Sequence, residues 1–188
     1  MQIVLARHGK PNLRHWVWIT PKQIKEWINI YDSADIVVDG VPAATEKIVN
    51  ASAVVVSSTM RRSIQSARRL CVNRQVATDA VFSEAGLPYF TWPFPHLPLS
   101  IWAILLRLAW FRGFSSNTET LAQATARAAE ATRRLVQLAQ ENGSVVLVGH
   151  GIMTMLIAKQ LMASGWSGPK RPFNSYWQFS VYRAPHLS

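Results

Sequence analysis

Three short runs of β-branched and other apolar residues recur along the chain, each ending in a polar cluster. Residues 2–6 run into Arg7-His8-Gly9, residues 53–56 into Ser57-Ser58 with Arg61-Arg62 close behind, and residues 145–148 into Gly149-His150-Gly151. Unbroken apolar runs of this length, closed by turn residues, predict strands buried on both faces of a parallel sheet. Helical patterns separate them, at 21–31 with Thr20 as N-cap, at 42–50, at 59–71 and at 152–163. Ser116-x-x-Glu119 has the form of a capping box and predicts the start of a long helix. That helix is apolar at Leu121, Ala124, Ala128, Ala131, Leu135 and Leu138 and closes at Asn142-Gly143. A last strand is predicted at 176–182. The alternation predicts an α/β chain, a three-layer α/β/α sandwich around a mostly parallel sheet with right-handed crossovers.

Composition narrows this picture. With 188 residues, 49% of them hydrophobic and 8 Trp, 7 Phe and 4 Tyr, the chain can bury a sizeable core, which excludes disorder. One domain over 1–188 is expected, with an insertion at about 86–115 serving as cap or lid. The apolar stretch 97–110 is too short for a hydrocarbon core of ~30 Å, which needs about 20 residues, and it contains Arg107. It is expected as a buried helix or a lid over a cleft. The alternative is an interfacial helix with Arg107 and Arg112 toward lipid headgroups. No transmembrane segment is expected. Nothing at the amino terminus is patterned as a targeting segment, so the expected location is cytoplasmic. The single Cys71 excludes a disulfide framework and a multi-Cys zinc site; at a helix end it is expected as an inert buried thiol.

Net charge is +10, from 20 Lys+Arg against 10 Asp+Glu, which favours an anionic partner. In an open parallel sheet, ligands bind beyond the carboxyl ends of the strands. Here those ends deliver Arg7 and His8, Ser58 with Arg62, and His150. Cations gathered at close range repel one another, and a phosphoryl group among them relieves that repulsion. Three polar clusters thus point to one phosphate-sized site.

At this level the residues match a known family. Leu5-Ala6-Arg7-His8-Gly9, then Ser57-Ser58-Thr59-Met60-Arg61-Arg62-Ser63-Ile64-Gln65-Ser66-Ala67, then Val148-Gly149-His150-Gly151 resembles the histidine phosphatase superfamily, also called phosphoglycerate mutase-like. The resemblance implies a phosphatase with His8 as nucleophile, forming a phosphohistidine that water hydrolyses, and with Arg7, Arg62, Ser58 and His150 around the phosphate. Such a role needs a neutral imidazole with one ring nitrogen anchored and the other free. Two Arg forks can neutralise developing charge with no metal and no cofactor. Arg62 is preferred to Arg61, for which a solvated helix face is expected. The resemblance also implies an acidic proton donor. Elimination among the ten carboxylates leaves Asp79 and Glu84; Phe82-Ser83-Glu84-Ala85 resembles the family's strand-end glutamate, so Glu84 is the expected general acid. Glu119 is expected as a helix cap, and Asp32, Asp35 and Asp39 as a polar loop.

The chain also departs from the family. Lys10-Pro11 follows Arg-His-Gly, and Ile152 stands where mutases place Asn, so hydrolysis is expected over mutase activity. Lys10 and Asn12 are candidate substrate contacts, with a structural loop role as the plainer reading. His15 is expected in a surface loop or at the pocket rim, and no role is expected for His96 or His186. The expected partner is a small phosphorylated substrate, with a phosphoprotein as the lesser candidate. No nucleic acid is expected, and a homodimer is compatible with the pattern. The competing function is a non-catalytic basic module that binds nucleic acid or an acidic membrane.

Overall fold

The computed structural model describes residues 1–13, 17–37, 40–71 and 74–185; His15, Asp39 and His186 fall outside them. The chain begins with β1 (Gln2–Arg7), continues through β2 (Trp18–Ile19) and a 3-10 turn to α1 (Ile24–Ser33) and α2 (Ala43–Ala51), and returns in β3 (Val54–Ser57). Then come α3 (Arg61–Leu70), β4 (Ala77–Thr78), β5 (Leu97–Pro98), α4 (Leu99–Phe111), α5 (Leu121–Asn142), β6 (Ser144–Gly149), α6 (Gly151–Ala163) and β7 (Phe179–Arg183).

β4, β3, β6, β1 and β7 form a five-stranded sheet in that order. The first four are mutually parallel and β7 is antiparallel to β1 at the edge. Alternate residues of each strand enter opposite cores, as a pleat requires. Ile3, Leu5, Val145 and Leu147 face α5 and α6. Val4, Ala6, Val146 and Val148 face Val49 of α2 and Ala67 and Leu70 of α3. Both faces being covered explains why the strands read as unbroken apolar runs. The three-layer α/β arrangement with a mixed, mostly parallel sheet follows directly. A third, smaller core joins α1 to α4 through Ile24, Leu99, Trp102 and Leu106.

The elements differ from the pattern at their ends. The last strand starts at Phe179, because Trp177 adopts φ +65° and leaves Tyr176 in a turn. The two-residue strands β2, β4 and β5 are too short to carry a period. The long helix does not start at Ser116. Asn117 has φ +61°, outside the helical region, so the cap moves to Thr120. Thr120 Oγ1 accepts from the Gln123 N–H at 3.1 Å, and Gln123 Oε1 accepts from the Thr120 N–H at 2.8 Å. Glu119 is therefore not a cap; it pairs with Arg127. Among the described residues no helix is long and apolar enough to cross a membrane.

Moving the cap has a measurable consequence. Thr120→Ala is expected to lower unfolding free energy by about 1 kcal/mol in urea titration. Ser116→Ala is expected to cost less than about 0.5 kcal/mol. The reverse ranking would restore the capping box read from the sequence.

Candidate functional site

Strand register brings the polar clusters together. β1 pairs with β6 up to Arg7 opposite Gly149, so the next residues out, His8 and His150, stand side by side. β3 pairs with β6 up to Ser57 opposite Val148, which puts Ser58 at the same level. The His8 and His150 rings lie 5.0 Å apart between centroids. Arg62, in the first turn of α3, and Arg7 line the same cavity as His8. Arg61 points away and pairs with Asp35 at 2.7 Å in solvent.

His8 is 2% exposed, and its Nδ1 lies 2.7 Å from the carbonyl of Gly9. A carbonyl only accepts, so Nδ1 carries the hydrogen and Nε2 keeps its lone pair. Burial, with Arg62 and Arg7 adding to it, pushes the His8 imidazole down to about 3 against the lifting effect of the Gly9 bond. Gly9 cannot be replaced cheaply, since a Cβ there would sit 2.2 Å from the Trp177 ring. His150 is fully buried and held well below the ordinary imidazole range, first by desolvation and then by His8, Arg62 and Arg7. Ser58 Oγ accepts from the Met60 N–H at 3.2 Å and lies 2.6 Å from His150 Nε2. That contact engages Nε2 and leaves Nδ1 without a protein partner. Neither Ser58 nor His150 is among the side chains that line the cavity.

The arginines rest on aromatic rings. The Arg7 guanidinium lies 4.5 Å over Tyr176 and the Arg62 guanidinium 4.5 Å over Tyr31. Burial and Tyr176 push the Tyr31 hydroxyl up to about 12, so it stays neutral. Arg62 donates to Asp32 at 2.9 Å, and Arg7 donates to the Asn174 carbonyl. Among the described residues, three buried side-chain nitrogens have no hydrogen-bond partner: Arg7 Nε, Arg62 Nε and His150 Nδ1. An unmet buried donor costs about 1–3 kcal/mol, so the two Arg Nε–H groups, on residues that line one cavity with His8, favour an acceptor there.

Glu84 lies on the cavity wall and caps α6, accepting from the N–H groups of Ile152 at 3.2 Å and Met153 at 2.9 Å. Its segment is fixed by Arg127 of α5, which donates to the carbonyls of Val81 at 3.0 Å and Ser83 at 2.7 Å. Arg107 of α4 donates to the carbonyls of Ala85 at 3.0 Å and Gly86 at 3.1 Å, so it is turned inward and not toward a lipid surface. Lys10 and Asn12 are exposed and off the cavity wall; their backbone is tied to Val37 and Asp35. Asp79 pairs with Arg134 and does not line the cavity. His96 lines a separate shallow cleft with Lys22 and Glu26. Cys71 is buried, which pushes its thiol up.

The sequence pattern missed Tyr31, Asp32, Tyr176 and Asn174, which no motif marks. It also missed Ser66, whose hydroxyl accepts from the Gly9 N–H at 2.8 Å and donates to the Arg62 carbonyl at 2.6 Å, tying the two loops of the site. A serine one turn after Arg62 was the available signal, because such hydroxyls bond back along a helix.

The family model described as histidine phosphatase superfamily (branch 1) matches residues 41–184. Arg7 and His8 precede that stretch and join it through the β1–β6 pairing. No curated protein sequence matches the chain. Among solved structures, the product of the open reading frame Rv3214 of Mycobacterium tuberculosis aligns with TM-score 0.65 at 14% identity, over 99% of this chain and 92% of that one. A mycobacterial glucosyl-3-phosphoglycerate phosphatase aligns with TM-score 0.58 at 21% identity, over 86% of this chain and 79% of its own. Phosphoserine phosphatase from Entamoeba histolytica aligns with TM-score 0.58 at 13% identity, over 98% and 91%. At these identities the likeness is one of fold.

Lowered imidazole values tie stability to pH. Unfolding lets His8 and His150 take up protons that the folded state refuses, so stability falls as pH drops below the unfolded value of 6.5, and for His8 continues to fall toward about 3. Each histidine contributes a slope approaching about 1.4 kcal/mol per pH unit in that window. Denaturation midpoints measured from neutral to acid pH should decline less steeply for His8→Gln than for the unaltered protein. Equal slopes would show that His8 is not held uncharged.

Proposed function

The chain belongs to the histidine phosphatase superfamily (branch 1), and on that premise we propose that it hydrolyses a phosphomonoester through a phosphohistidine formed on His8. The observation that carries this reading is that His8 shares its cavity with Arg7 and Arg62 and lies 5.0 Å from His150 between ring centroids, while Arg7 Nε, Arg62 Nε and His150 Nδ1 are buried without partners. A neutral imidazole is a nucleophile, and a protonated one is not. The phosphoryl oxygens take the three donors, and the guanidiniums neutralise charge as it spreads over them in the transition state. His8 Nε2 attacks phosphorus in line while the ester P–O bond breaks. Glu84, at the wall of the same cavity, gives a proton to the departing alcohol oxygen. In the second half Glu84 takes a proton from water, the oxygen attacks phosphorus, and the N–P bond breaks to release phosphate and restore His8.

His8 and Glu84 are separable by experiment. Turnover of p-nitrophenyl phosphate should survive EDTA and fall about 10³-fold or more in His8→Ala. Quenching the unaltered protein into alkali, where phosphohistidine survives, should recover phosphate on the peptide that contains His8. Turnover that persists in His8→Ala would overturn the reading. Glu84→Gln should slow ethyl phosphate by about 10²–10⁴-fold. It should slow p-nitrophenyl phosphate far less, because that leaving group needs little help from an acid. An equal loss on both substrates would make Glu84 only the cap of α6.

A further inference from the structure

The cavity is larger than a phosphoryl group requires. Its volume is about 630 Å³, the size that holds an organic ligand of some tens of atoms. Arg7, His8 and Arg62 occupy one end. Past them most of the wall is apolar. Trp27 and Ile28 come from α1, Leu87 from the segment after Glu84, and Ala103, Ile104 and Leu108 from α4. Ile104 and Leu108 stand one helical turn apart, 59% and 47% exposed, facing the cavity and water together. Trp27 stacks on Tyr31 at 4.9 Å, extending the opposite wall down to the arginine end.

The polar wall groups besides the arginines have internal partners. Asp32 pairs with Arg62 at the arginine end, Glu84, the proposed proton donor, accepts from the amides of Ile152 and Met153, and Arg107 donates to two backbone carbonyls. Arg107, the cation on this side, also lies 5.0 Å over the Trp110 ring. Asn174 adds an exposed amide at the rim. A sugar, glycerate or nucleoside phosphate brings hydroxyls or a second charge that would meet hydrocarbon here and lose its water without replacement. An alkyl, prenyl or aryl group would cover Ile104, Leu108 and Trp27 and release water from both surfaces.

We propose that the substrate is the phosphate monoester of an apolar alcohol, its phosphoryl group among Arg7, His8 and Arg62 and its hydrocarbon in the trough between α1 and α4. This rests on the phosphomonoesterase reading above and names its substrate class. Specificity then comes from Trp27, Ile28, Ile104 and Leu108, and the phosphate end is indifferent to what the ester carries.

The test is a homologous series, ethyl to decyl phosphate, each kept below its micellar concentration so that the slope reports the trough. Affinities of the matching alkylphosphonates, which cannot be hydrolysed, are measured in parallel by calorimetry. kcat/KM and phosphonate affinity should both rise about threefold per methylene until the trough is full. Ile104→Asn and Leu108→Asn, at half-exposed positions where folding tolerates a polar side chain, should flatten both slopes. Glucose 6-phosphate and 3-phosphoglycerate should be about tenfold or more poorer than octyl phosphate. A flat or falling dependence on chain length, or a preference for either polar ester, overturns the proposal. Phosphonates that tighten with length while no ester is turned over would uphold the apolar ligand and defeat the hydrolytic reading.

Discussion

Two guanidiniums and two imidazoles are packed into one hollow at the carboxyl edge of the sheet, and the rest of the structure is arranged around keeping them there. Left to themselves they would separate or recruit water. Instead, β1 and β6 run in register to Arg7 and Gly149, so that His8 and His150 stand next to each other. The arginines are propped from beneath by Tyr176 and Tyr31, and Asp32 offsets part of the charge of Arg62. Burial pushes both imidazoles toward the uncharged form, which lowers the repulsion among the four groups. The Gly9 carbonyl, 2.7 Å from Nδ1, leaves the His8 lone pair on Nε2.

A second layer of contacts positions these groups without touching the hollow. Ser66 links the His8 loop to the first turn of α3, and Ser58 holds His150 at Nε2. Arg127 gathers the carbonyls of the 81–84 segment, and Glu84 spans from there to the start of α6. The small core of Ile24, Leu99, Trp102 and Leu106 holds α4 opposite α1, which sets the width of the trough. α1 serves both ends, since Tyr31 and Asp32 hold Arg62 while Trp27, one turn earlier, stacks on Tyr31 and lines the trough.

Much of this was legible in the chain, for a physical reason. Strands buried on both faces must be apolar throughout, so the polar residues that end them stand out, and those residues meet because parallel strands end at one level. Arg7, His8, Arg62 and His150 are the residues this reading singles out, and the structure brings them to one edge of the sheet. Tyr31, Asp32, Tyr176 and Asn174 escape it, because they reach the hollow from a helix end and a turn that have no periodic signature. Ser58 is tied to His150 Nε2 and to the Met60 N–H, contacts that no strand-end pattern specifies. Lys10 and Asn12 follow the Arg-His-Gly motif closely in sequence, yet the chain turns them into solvent. The cap of α5 was misplaced by four residues because Asn117 bends the backbone in a way that a capping pattern does not reveal.

The central claim, that uncharged imidazoles and two arginines share one oxyanion position, is tested most directly by nitrogen NMR of the His8 and His150 rings and the Arg7 and Arg62 side chains at about pH 6. Both rings should be neutral with the proton on Nδ1. Inorganic phosphate should then shift His150 Nδ1–H and both Arg Nε–H signals along one binding curve. Imidazolium signals in the free protein, or phosphate that leaves those three signals where they were, would contradict the account.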